Sequence, residues 1–157
     1  MSIWRPRTTG ILIGGFLVIV IAVAASFMLA NFQPKTELRL GSGVFKANVA
    51  SDQLSRETGL AGVEKMKPND ALIIAFDQDD AAGIWMKGME VSIDIVWLNA
   101  NKEVIHIVKN ATPEMGERIF RPTTKARYVV ELPAGTVQKA NIKVGGMASF
   151  DLEGEVL

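Results

Sequence analysis

No cysteine occurs in the 157 residues. Disulfides, thiolate nucleophiles and cysteine-based zinc sites are therefore excluded. Histidine is nearly absent as well: His106 stands alone. A lone histidine without cysteine does not make a conventional zinc site. Ser–His–Asp catalysis would have to use it, and no nucleophile-elbow pattern accompanies it. It alternates with Ile105 and Ile107, which reads as a surface or core-satisfied strand residue. An excess of charge of one sign is also missing, with seventeen Lys and Arg against seventeen Asp and Glu. Arg5 and Arg7 precede the one long apolar run and no acid does, so the remainder holds fifteen basic and seventeen acidic residues, a net of −2. A nucleic-acid binder needs a clustered positive surface, and nucleic acid is set aside as a partner. No internal repeat or low-complexity tract is present. No metal or cofactor is expected.

What is present divides the chain into four parts: a basic tail (1–10), an apolar run (11–30), a polar linker (31–37) and a domain (38–157). Residues 11–30 read ILIGGFLVIVIAVAASFMLA, with Ser26 as the one polar member. Twenty helical residues span about 30 Å, the thickness of the hydrocarbon layer. A single span in lipid must be helical to satisfy its own amides. Ala22-Val23-Ala24 has the small-x-small form of a signal-peptide cleavage site. The run continues through Phe27, Met28 and Leu29, beyond the usual length of such a region, which favours a signal-anchor. The short basic tail orients the N-terminus inward. The expectation is a single-pass inner-membrane protein whose domain lies on the extracytoplasmic side.

From Leu38 the dominant period is two. Glu37–Leu40, Phe45–Val49, Leu72–Phe76, Ile84–Lys87, Val91–Leu98, Glu103–Val108, Tyr128–Leu132 and pieces of Ile142–Leu152 read as strands. Ser51 or Asp52 can cap a short helix through Thr58, ended by Gly59. A turn or two of helix is expected at Thr136–Ala140. Asp77–Gly83 and Thr112–Thr124 read as turn and loop. The expected fold is mainly β (β-rich α+β): a single antiparallel barrel or sandwich with one or two short helices, preceded by one transmembrane helix.

Four stretches carry a family resemblance. They are Arg56-Glu57-Thr58-Gly59-Leu60; Ile84-Trp85-Met86-Lys87 followed by Ile93-Asp94-Ile95; Tyr128 to Gly135 (YVVELPAG); and Gly145-Gly146 before Phe150. In this order and spacing, over residues 38–152, the domain resembles the family catalogued as domain of unknown function 192. Ala61, Gly88-Met89 and Ser92-Ile93 depart from its pattern. The resemblance implies a compact β-rich fold and frequent envelope location, and supplies no activity.

Candidate site residues follow from chemistry. Asp94 sits among apolar neighbours, so its carboxylate must be paired or hydrogen-bonded. One reading is a structural pair with Arg56, Arg127 or Lys87; the other is a ligand or proton-transfer site. Arg56, near a helix end, can complete such a pair or hold an anion bidentately. Trp85 beside Lys87 is either core or one wall of a pocket. The candidate binding set is Arg56, Trp85, Lys87 and Asp94. Glu131, flanked by Val130 and Leu132, raises the alternative of a hydrolase using Asp94 with Glu131, if the two carboxyls flank one substrate. The expected function is a non-enzymatic envelope module that binds a small polar ligand, a glycan or a partner protein. A purely structural scaffold is a third reading.

Overall fold

The computed structural model describes residues 35–152. The signal-anchor, the basic tail and most of the linker lie outside the described residues. Among those described, no helix is long and apolar enough to cross a membrane.

Strands β1 (Thr36–Leu40) and β2 (Gly43–Ala50) form an antiparallel hairpin. Its turn needs Gly41: φ is +59°, and a Cβ there would lie 2.2 Å from the Ala140 carbonyl oxygen. Helix α1 (Gln53–Thr58) follows, with Asp52 as N-cap accepting from the Ser55 amide and Gly59 as C-cap at φ 52°. Strand β3 (Asp70–Asp80) pairs parallel to β2. Next come β4 (Ile93–Leu98), β5 (Val104–Ala111), β6 (Ala126–Pro133), helix α2 (Thr136–Lys139) and the two-residue β7 (Ala148–Ser149).

The strands make one sheet in the order β5-β4-β6-β3-β2-β1-β7. Its outer strands approach each other at one end. The Val104 amide donates to the Gly146 carbonyl (2.8 Å), the Gly145 amide to the Val104 carbonyl (2.8 Å) and the Ala148 amide to the Lys102 carbonyl (2.8 Å). The sheet is thus rolled into a half-barrel with apolar clusters on both faces. One face gathers Leu38, Leu40, Phe45, Ile73, Val96, Leu98, Val130 and Leu132. The opposite face gathers Leu72, Ile74, Ile93, Ile95, Trp97 and Val129. Every residue of β4 is buried because both of its faces are covered.

The second face is covered by chain without regular structure. Ala82, Ile84 and Met86 are buried, while Ala81, Gly83, Trp85 and Lys87 point outward. The expected strand at Ile84–Lys87 has the right period but little ladder. Its backbone exchanges two hydrogen bonds between Ile84 and Phe120 (2.9 and 2.8 Å), and the Met86 amide donates to Gly116 (3.0 Å). Trp97 Nε1 donates to the Ala82 carbonyl at 2.8 Å, which fastens this cover to the sheet.

Three expectations are corrected. The sheet is mixed, because the 11-residue β3 crosses over to lie parallel to β2. Asp77–Asp80 belongs to β3 rather than to a turn, and the ladder with β6 shifts register between Ala75 and Asp80. Of Ile142–Leu152 only Ala148–Ser149 is strand; Gly145 at φ 84° breaks the rest.

Candidate functional site

A cleft of about 340 Å³ opens where α1, the bulged part of β3 and the cover segment meet above β6. Arg56 and Glu57 enter it from α1, Phe76 and Asp80 from β3, Trp85 and Lys87 from the cover, and Glu131 from β6. The helix cap and the alternation of the cover aim these side chains: the buried Ile84 and Met86 force Trp85 and Lys87 to the other side. Trp85 is 46% exposed, unusual for so large an aromatic.

Glu131 is the distinctive group. It registers with Leu72 of β3 and Ile95 of β4, so it stands among the apolar side chains of the second face. The residue is 4% exposed. Among the described residues, its Oε2 is a buried side-chain oxygen without a hydrogen-bond partner. Burial disfavours the charged form and pushes its carboxyl up to about 7. The C-cap Gly59 lies over it; a Cβ at that position would come to 3.9 Å from Oε2.

The cations of the cleft are already occupied. Arg56 donates through Nη1 to the Ser51 carbonyl and, at 3.2 Å, to the Ala75 carbonyl. Its Nη2 is 3.7 Å from Asp77 Oδ2, and the guanidinium lies 5.8 Å from the centre of the Phe76 ring. Arg56 therefore ties α1 to the β3 bulge. Lys87 Nζ is 3.2 Å from Glu117 Oε1.

The structure brings Arg56, Trp85 and Lys87 together and leaves Asp94 out. Asp94 is fully buried, and its partner is none of Arg56, Arg127 and Lys87. Oδ2 accepts from the Val137 amide at 2.7 Å, in the first turn of α2, and Oδ1 accepts from the Asn110 amide at 2.9 Å. The second amide is released by a bulge in β5, where Asn110 has φ 52°. Arg127 pairs instead with Asp79, at 2.8 Å. Asp94 registers with Leu132 of the first face, whereas Glu131 registers with Ile95 of the second. The two carboxyls project from opposite faces of the sheet, so the arrangement required of a two-carboxylate hydrolase is not made. His106 registers with Trp97 and tilts against it at 5.2 Å. Among the described residues no group of three His, Asp or Glu is placed to hold a metal ion.

Sequence reasoning singled out Glu131 only as a partner for Asp94, and did not reach Phe76, Asp80 or Met89. An acid between two valines and a leucine in a strand buried on both faces was the available signal.

The family model DUF192, described as "Uncharacterized ACR", matches residues 36–150. The chain belongs to that family. Among relatives, a UPF0127 protein of Thermococcus sibiricus is 32% identical over 128 residues, 82% of this chain and 77% of that protein. Another, from Thermococcus gammatolerans, is 31% identical over 106 residues, 66% of this chain and 65% of that protein. A Sinorhizobium meliloti protein described as a candidate transcription regulator has a similar structure, with TM-score 0.68 and 26% identity over 74% of this chain and 92% of that one. A Novosphingobium aromaticivorans protein of unknown function shares the fold, with TM-score 0.68 and 21% identity over 73% of this chain and 83% of that one. Within the DUF192 frame, the departure at Gly88-Met89 falls beside the cleft, which Met89 lines.

Proposed function

We propose that this DUF192 domain is a non-enzymatic binding module that takes a small polar ligand in the cleft between α1 and the Trp85 segment. The observation that carries the reading is Glu131 Oε2, a buried carboxyl oxygen on the cleft wall without a partner among the described residues. Leaving a buried polar group unsatisfied costs about 1–3 kcal/mol. A scaffold has no use for that cost, whereas a binding site recovers it when a ligand supplies the missing partner. Trp85 adds an exposed aromatic wall, the usual complement to a few convergent polar groups. Asp94, sealed and satisfied on the opposite face, serves the fold.

We place this module on the extracytoplasmic side of a membrane, held by residues 11–30; their twenty-residue apolar run supports that placement.

A thermal-shift screen of the full-length chain in neutral detergent tests the binding reading, using sugars, amino acids, amines and nucleotides. A ligand at about 100 times its Kd adds about 2.7 kcal/mol to the folded state. The expected result is at least one compound that raises Tm in the native chain and does so weakly or not at all in Trp85→Ala. Hits unaffected by Trp85→Ala and Glu131→Gln, or no hits, contradict the reading.

A further inference from the structure

We propose that the cleft takes a small organic cation, an alkylammonium or guanidinium compound, with its charged nitrogen directed at the Glu131 carboxylate and its carbon framework against Trp85. The inference rests on the binding reading above and names the class of ligand.

The charges around the cleft decide it. Its basic groups are Arg56 and Lys87; its acidic groups are Glu57, Asp80 and Glu131. Both basic groups already face an acid outside this set, Arg56 with Asp77 and Lys87 with Glu117. Among the described residues, Glu57 and Asp80 have only neutral donors: Glu57 Oε1 accepts from Gln53 Nε2 at 3.0 Å, and Asp80 Oδ1 accepts from the Ala81 amide at 2.6 Å. Glu131 Oε2 has no partner among the described residues. The uncompensated charge is therefore negative and comes from three segments: α1, β3 and β6. An anion entering the cleft meets three carboxyls and two cations that are already engaged. A neutral sugar can stack on Trp85 but leaves the carboxylates uncompensated. A cation answers both features, because tryptophan is the aromatic that attracts cations most strongly and a buried carboxylate is stabilised by an opposite charge within reach. Met89 and Phe76, also lining the cleft, offer soft and aromatic surface to the carbon framework.

The proposal has a pH signature. A cation selects the ionised form of Glu131, so binding tightens as that group ionises. Titration calorimetry of the full-length chain tests it with agmatine and choline as probes and glucose and inorganic phosphate as comparators. Agmatine keeps its cationic groups from pH 6 to pH 8. Its affinity is expected to rise about tenfold across that range, with proton release at pH 7 visible as a dependence of the heat on the buffer's ionisation enthalpy. Glu131→Gln is expected to weaken agmatine about tenfold or more at pH 8 and to remove the pH dependence. Trp85→Ala, a change at an exposed site that spares the core, is expected to weaken both probes about threefold or more. If Glu131→Gln fails to fold, proton release by the native chain still decides.

Binding of glucose or phosphate in place of the amines overturns the inference while the binding reading stands. Amine affinity that is flat with pH, or unchanged in Glu131→Gln, overturns it too. If none of the four probes binds, the inference falls and the wider screen decides the binding reading.

Discussion

Glu131 and Asp94 are both buried strand carboxyls among apolar neighbours, yet they differ in their hydrogen-bond partners and in the face of the sheet they take. Asp94 receives two amide hydrogen bonds, one on each carboxyl oxygen. Asp94→Ala leaves the Val137 and Asn110 amides without their acceptor, and a loss of roughly 2–5 kcal/mol is expected in chemical denaturation. Because Asp94 faces away from the cleft, Asp94→Asn folded at low temperature should bind cleft ligands as the native chain does. Glu131 behaves oppositely. Its carboxyl sits at about 7 in the fold against 4.5 ordinarily, so between these values the folded state holds a proton that the unfolded state has lost. Stability contributed by the protonated group is complete below pH 4.5 and is lost as pH rises through 7, by about 3 kcal/mol in all. Asp52 and Glu114 are shifted down, chiefly by side-chain hydrogen bonds from Ser55 and Thr112. Their contribution is present above the ordinary carboxylate range and lost as pH falls below it, a window that does not overlap. Thermal unfolding from pH 4.5 to 8 should show a decline in Tm that Glu131→Gln flattens; an identical decline in both contradicts the assignment. The sequence revealed that both acids sit in buried strands, because burial follows from the neighbours. It could not reveal which face each takes, because that depends on the register of β4 against β6.

Helix α1 forms one wall of the cleft and is only six residues long, so its ends matter more than its propensities. A cap at Ser51 or Asp52 was legible, because such a residue before a helical stretch with a glycine after it has a direct backbone reason; the structure selects Asp52. Asp52→Ala is expected to cost about 1 kcal/mol in denaturant unfolding. It should also weaken cleft ligands, since Arg56 and Glu57 ride on this helix. The cover segment was half legible. A strand over Ile84–Lys87 was read, but the outward face of Trp85 was not, since core and pocket wall both stayed open; the segment's partner, the 116–120 loop, lies beyond any local pattern. The bulge in β3 and the parallel pairing with β2 were not legible at all. An acidic run such as Asp77-Gln78-Asp79-Asp80 carries turn chemistry, and only the pairing with Arg127 and Arg56 shows why it stays within a strand.

For the molecule as a whole, both faces of one rolled sheet are apolar, which explains why a domain of this size has a cleft outside the half-barrel rather than within it. The first face is filled with side chains, and the cleft that holds Glu131 forms in the irregular cover of the second. The proposed membrane placement has its own check. After cell lysis the full-length chain should sediment with membranes and resist high-salt washing, and removal of residues 11–30 should release it; recovery of the intact chain in the soluble fraction contradicts the placement. The central claim is that Glu131 is a buried acid kept without a partner for a ligand. Its most direct measurement is an NMR titration of the full-length chain with 13C-labelled glutamate carboxyls, the Glu131 resonance being identified by its loss in Glu131→Gln. The account predicts a midpoint near 7 that moves downward when saturating agmatine is added. A Glu131 midpoint in the ordinary range near 4.5, or one that agmatine leaves in place, contradicts it.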